Sequence, residues 1–157
     1  AQESRGLGDV YKRQACNKSG HELLLEVILP ENGPDKDERH YHTMLEHFYQ
    51  LGIKPDWWKL PPLSSASWQQ ITALIEREDP WSRGILILGL DAPSDKLRAG
   101  FAEAAAHPII KGFAVGRTIF GLPSRRWMQG ELSDEALIEE VKRNYLTLIG
   151  YWREARR

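Results

Sequence analysis

Pro55-Asp56-Trp57-Trp58-Lys59-Leu60-Pro61-Pro62 sets a lysine inside a short, aromatic-rich apolar run and closes that run with two prolines. A continuous apolar run of this length reads as a parallel strand buried on both faces, a setting with no use for an ammonium group. An unpaired ammonium placed there is costly or gives up its proton. Two readings follow. Lys59 either snorkels out at the strand end with its head in water, or it is an amine pushed toward neutrality, as Schiff-base chemistry requires.

The flanking sequence repeats the same unit. His21–Leu29 is a strand-length apolar run ended by Pro30, and Asp35–Leu51 has helical spacing with Tyr41, Leu45 and Phe48 on one face, acidic residues in the first turn and Gly52 as the stop. Ile53–Leu60 is the second strand, followed by a helix over Ser64–Glu78 with Trp68, Ile71 and Ile75 inward. Gly84–Leu90 is a third, wholly apolar strand, and Ser94–Ala106 a helix with Leu97, Phe101 and Ala105 inward. Lys111–Val115 is a short fourth strand, and a helix from a Ser133 N-cap to about Glu154 ends the series. Four strand–helix units with strands about every 30 residues predict an α/β fold with a parallel sheet. The repeat length is that of a (β/α)8 barrel of about 250 residues, of which four units are half. A free-standing open sheet is the alternative. Polar residues gather at the carboxyl ends of the strands, which favours the half-barrel.

Residues 1–14 (AQESRGLGDVYKRQ) have no clear period, and their ending GDVYKRQ resembles the translated adaptor tails found on assembled gene fragments. They are expected to be a non-native tail, with residues 15–157 the second half of the barrel domain. The 157 residues suit one domain, and 21 basic against 22 acidic residues give a net charge of −1, with no basic field for nucleic acid or an anionic membrane. A single cysteine, Cys16, rules out an intrachain disulfide and suits a reducing cytoplasm. No apolar run has the length of a membrane span.

Glu26 shares a strand face with Glu22, Leu24 and Ile28 and falls at the position matching Lys59 on the next strand. The two form either a structural ion pair or a lysine nucleophile with a proton-shuttling carboxylate. In Gly112-Phe113-Ala114-Val115-Gly116-Arg117-Thr118, Gly116 allows close backbone approach and Arg117 offers a fork of donors to phosphate, with a short helical turn beginning there. Gly89 and Asp91 lie in the preceding loop; Gly89 can approach an anion, and Asp91 caps the next helix or meets a substrate hydroxyl. The alternative for Gly116 and Arg117 is a turn with a surface arginine. His40, His42 and His47 lack zinc-ligand spacing, so neither metal nor cofactor is expected. Trp57 and Trp58 read as packing residues on opposite faces.

The runs GHELLLEVI (20–28), GIKPDWWKL (52–60), GILILGLDAP (84–93) and KGFAVGRTIFG (111–121), in that order, resemble the C-terminal aldolase-like domain of bacterial 5-dehydro-2-deoxygluconokinase proteins of myo-inositol catabolism. That domain is similar to the class I tagatose-bisphosphate aldolases. The resemblance implies the C-terminal half, four βα units, of an aldolase-type TIM barrel in a cytoplasmic protein that also carries a kinase domain. It places the Schiff-base lysine on Lys59, a glutamate partner on Glu26 and a phosphate clamp on Gly116 and Arg117. Where those aldolases have a serine-bearing loop, this chain has Leu88-Gly89-Leu90-Asp91, so backbone N–H groups at Gly89 would serve phosphate there. The implied reaction cleaves 2-deoxy-5-keto-gluconate 6-phosphate to dihydroxyacetone phosphate and malonate semialdehyde. The expected partners are the sugar phosphate, the other half of the barrel and further copies in a homo-oligomer. A non-catalytic sugar-phosphate module attached to the kinase is the rival expectation.

Overall fold

A computed structural model describes residues 2–29 and 37–157. Their order is α1 (Gln2–Ser19), β1 (Leu24–Glu26), α2 (Arg39–Gln50), β2 (Trp57–Leu60), α3 (Ser65–Glu78), β3 (Gly84–Ile87), α4 (Ser94–Ala105), β4 (Ile110–Phe113), α5 (Arg117–Met128) and α6 (Asp134–Ala155). The strands form one parallel sheet in the order β1-β2-β3-β4.

Side chains alternate across each strand, and among the described residues only one side of the sheet is covered by helices. Leu25, Val27, Trp58, Leu60, Ile85, Ile87 and Ile110 face the helices and are buried with Leu45, Trp68, Ile71, Ile75, Leu97 and Phe101. The indole of Trp58 is fully enclosed and donates to the Tyr49 hydroxyl at 3.0 Å. On the opposite side Leu24 and Ile28 are each 42% exposed, and Trp57, Lys59 and Leu86 are half-buried. A parallel sheet normally hides both faces. This one leaves a face bare.

A bulge between Ile85 and Leu86 shapes β4. Ile85 pairs with Ile110, Leu86 with Gly112 and Ile87 with Phe113, so Lys111 is the extra residue. The insertion turns both Ile110 and Phe113 toward the helices, where Phe113 stacks on Phe101, and sends the side-chain-free Gly112 to the bare side.

The strands stop short of their sequence-predicted ends for backbone reasons. Pro55 has no N–H for a ladder, and the Ile53 amide bonds back to Phe48 at the end of α2. Leu90 (φ 46°) and Asp91 (φ 62°) are left-handed, which ends β3 in a tight turn closed by Ala92 N–H to Gly89 O at 2.8 Å. The expected start of α2 at Asp35 lies outside the described residues; Asp37 and Glu38 precede the helix, whose first turn holds no acid. Tyr49 rather than Phe48 joins Tyr41 and Leu45 as a buried residue of α2, and Ala104 rather than Ala105 faces inward from α4. Ser133 caps α6 as expected, and Ser64, expected as the first residue of its helix, is the cap of α3; each accepts from the N–H three residues on.

Two helices were not foreseen. The expected boundary between Gln14 and Ala15 falls inside α1, from which Arg13 reaches Asp56 at 2.6 Å. In place of a short helical turn at Arg117, α5 runs for 12 residues with Pro123 inside it. Proline cannot donate to the carbonyl four residues back. Here that carbonyl, Ile119 O, receives Asn144 Nδ2 from α6 at 2.8 Å, so the helix continues across the proline.

Candidate active site

The ladder sets Glu26 beside Lys59 and Lys59 beside Leu86, with Leu86 beside Gly112. Lys59 Nζ lies 2.8 Å from Glu26 Oε1, at side-chain exposures of 22% and 40%. Both sit at the carboxyl ends of their strands on the bare side of the sheet. The ammonium is therefore neither buried alone nor snorkelled into solvent. It is paired at the rim of a cleft of about 240 Å³.

That cleft gathers every residue singled out from the sequence: Glu26, Lys59, Gly89, Asp91, Gly116 and Arg117 line it together. Gly89 is buried at its back, where an added Cβ would lie 2.8 Å from Val115 Cγ1. The left-handed turn at Leu90 and Asp91 is braced from α5 by Thr118 Oγ1, which donates to Ala92 O at 2.9 Å. Such conformations cost non-glycine residues about 1 kcal/mol or more each and persist where the surroundings hold them. Asp91 forms no ion pair among the described residues, and α4 takes Pro93 as its N-cap, so the capping role expected of Asp91 is not filled.

At the other wall α5 starts directly on the cleft. Its N-cap Gly116 brings no side chain to the first N–H groups, and Phe120 closes over it, 3.0 Å from where a Cβ would stand. Arg117, the first residue of the helix, is exposed and has no ion-pair partner among the described residues. An uncapped helix start with an unneutralised guanidinium is an anion-binding arrangement.

Outside the cleft lining, a carboxylate joins the N-termini of α2 and α3. Glu38 accepts from Ser64 N–H, Ser64 Oγ and Ser67 Oγ, linking the loop after β1 to the start of α3. Burial works to raise its carboxyl, but those three bonds outweigh it and hold it below the usual range. Sequence reasoning missed Ile28, Leu90 and Phe120 as cleft walls; alternation from Glu26 and one helical turn from Gly116 point to Ile28 and Phe120. Nothing in the sequence marked Leu90.

Fold and site define an α/β domain with a one-sided parallel sheet and a paired lysine–glutamate cleft at the carboxyl ends of its strands. The chain belongs to the family described as "Uncharacterized protein conserved in bacteria (DUF2090)", whose model matches residues 1–156. No curated protein matches it. Among the described residues, no helix is long and apolar enough to cross a membrane.

Proposed function

We propose that the chain is the C-terminal half of a class I aldolase barrel from a cytoplasmic, oligomeric protein whose upstream sequence supplies the other half-barrel and a kinase domain. The bare sheet face supports the half-barrel: in a closed (β/α)8 ring that side is the interior. The observation that carries the activity is the single cleft in which Lys59, Glu26, Gly116 and Arg117 meet.

In this reading Gly116 and Arg117 hold the phosphate of 2-deoxy-5-keto-gluconate 6-phosphate, helped by backbone at Gly89. The Lys59 amine adds to the ketone and water leaves, giving an iminium. Glu26 takes the proton of the hydroxyl on the carbon at the far end of the bond that breaks. The electron pair of that carbon–carbon bond moves into the iminium, and malonate semialdehyde departs. The remaining enamine takes a proton on carbon, and hydrolysis frees dihydroxyacetone phosphate and Lys59. Asp91, which lines the same cleft, accepts from a substrate hydroxyl. The isolated half is expected to be inactive.

The 2.8 Å pair itself favours one rival, since an amine committed to Glu26 also suits a non-catalytic sugar-phosphate module. Borohydride reduction of the full-length protein with dihydroxyacetone phosphate separates the two. A mass adduct on Lys59, absent from Lys59→Met, is expected; its absence from the unsubstituted protein sinks the aldolase.

A further inference from the structure

We propose a second anion site, for a small dianion of the phosphate-monoester class, in the cleft on the far side of Arg117. This cleft, of about 370 Å³, opens between the start of α4, α5 and α6, and Asp91, Ser94, Arg117, Arg125 and Asn144 line it. Its charge is unbalanced. Arg117 and Arg125 face one carboxylate, Asp91, and neither arginine has an ion pair or hydrogen bond among the described residues.

The helices around it show how such charges are otherwise matched. Arg126, next in the chain, pairs with Glu131 at 3.4 Å and Glu140 at 2.9 Å, and Arg98 on α4 pairs with Glu154 at 2.8 Å. The acids of α6 that reach this side are thereby taken. Gly121 lies between Arg117 and Arg125: a Cβ there would stand in ordinary contact, 3.6 Å from Arg117 Cβ, 3.7 Å from Arg125 Nη1 and 3.9 Å from Asp91 Oδ1, so the three side chains converge on one point.

The other polar walls have donors already engaged. Asn144 Nδ2 is committed to Ile119 O and the Thr147 hydroxyl to Arg143 O. The free donors are the two arginine forks, the Ser94 hydroxyl and the second N–H of Asn144, a set suited to several oxygens of one doubly charged group. Since Arg117 lines both clefts, an anion in the second draws its guanidinium from the first, and each site weakens the other. That competition rests on the phosphate role proposed for Arg117; the second site does not.

The test is hydrogen exchange by mass spectrometry on the full-length protein in inorganic phosphate, against chloride at equal ionic strength. Phosphate should slow exchange about threefold or more in the peptide opening α4 at Ser94 and in the peptide opening α5 at Gly116. Arg125→Gln should abolish the first effect and leave the second, and should leave borohydride trapping on Lys59 intact. Protection at Gly116 alone, or protection at Ser94 that survives Arg125→Gln, overturns the second site while sparing the aldolase reading. Protection at Ser94 alone, lost in Arg125→Gln, upholds the second site and removes the phosphate clamp from the first.

Discussion

Replacing Lys59 by methionine separates catalysis from architecture because the structure sets the two effects far apart in size. The pair it removes is short, 2.8 Å, but 40% of the Glu26 side chain meets solvent. A pair this exposed contributes about 0.5–1 kcal/mol after screening and side-chain entropy. Methionine refills the space of the lysine stem beside Trp57 and Leu86, and Glu26, left alone, turns to water rather than being trapped as a buried charge. The net stability change is then within about 1 kcal/mol, a melting shift of roughly 2–4 °C for a domain of this size. Loss of an imine-forming amine instead removes cleavage altogether, and even a thousandfold loss is about 4 kcal/mol of barrier. Urea denaturation and aldol-cleavage assays on the same full-length preparations read both quantities. A stability loss above about 3 kcal/mol, the range seen when a buried pair is broken, would show that Lys59 closes a polar hole in the sheet. Residual cleavage in a stable Lys59→Met protein would falsify the nucleophile assignment.

Asp56 joins α1 to the sheet by accepting from Leu23 N–H at 2.8 Å and Arg13 Nη1 at 2.6 Å. Asp56→Ala should cost about 1–3 kcal/mol, chiefly by orphaning the Leu23 amide, while Arg13→Ala should cost less than about 1 kcal/mol. Burial works to raise the Asp56 carboxyl, but the Leu23 N–H and Arg13 outweigh it and hold it below its usual value. Its contribution is therefore full above the ordinary aspartate pKa of about 3.9 and is lost as pH falls through the lower folded value. Denaturation midpoints of the unsubstituted protein and Asp56→Ala should converge on acidification; a gap independent of pH refutes this account. Gly100→Ala should destabilise by about 1–3 kcal/mol despite alanine's better helix propensity, because its Cβ would lie 2.4 Å from Pro62 Cβ. An unchanged denaturation midpoint would mean that α4 shifts freely off Pro62. Leu90→Gly relieves a left-handed residue and should leave stability unchanged or raise it by up to about 1 kcal/mol, where a loss beyond that would reveal a packing role for the leucine.

The parallel order of the strands and the covering helices were legible in the alternation of apolar runs and helical spacing, and Ser64 and Ser133 announced their helices. The site was legible because Glu26 and Lys59 broke apolar runs at matching strand positions. The strand ends were less so, since Leu90 and Asp91 turn left-handed without the glycine that would signal it. Helix α5 was hidden by Gly121 and Pro123, which forbid a helix by propensity; only Asn144, distant in sequence, supplies the bond that permits it. The bulge that turns Gly112 to the bare side likewise depends on pairing with β3 and leaves no mark in the strand itself.

That bulge has a practical consequence. Across the sheet, one level reads acid, amine, alkyl and then nothing: Glu26, Lys59, Leu86, Gly112. A methyl placed on Gly112 would meet no atom within 4 Å, and the residue lacks the positive φ that would bar other side chains. The ladder therefore has room for a methyl beside Leu86 as it stands. On the aldolase reading, Gly112→Ala should fold normally and keep borohydride trapping on Lys59.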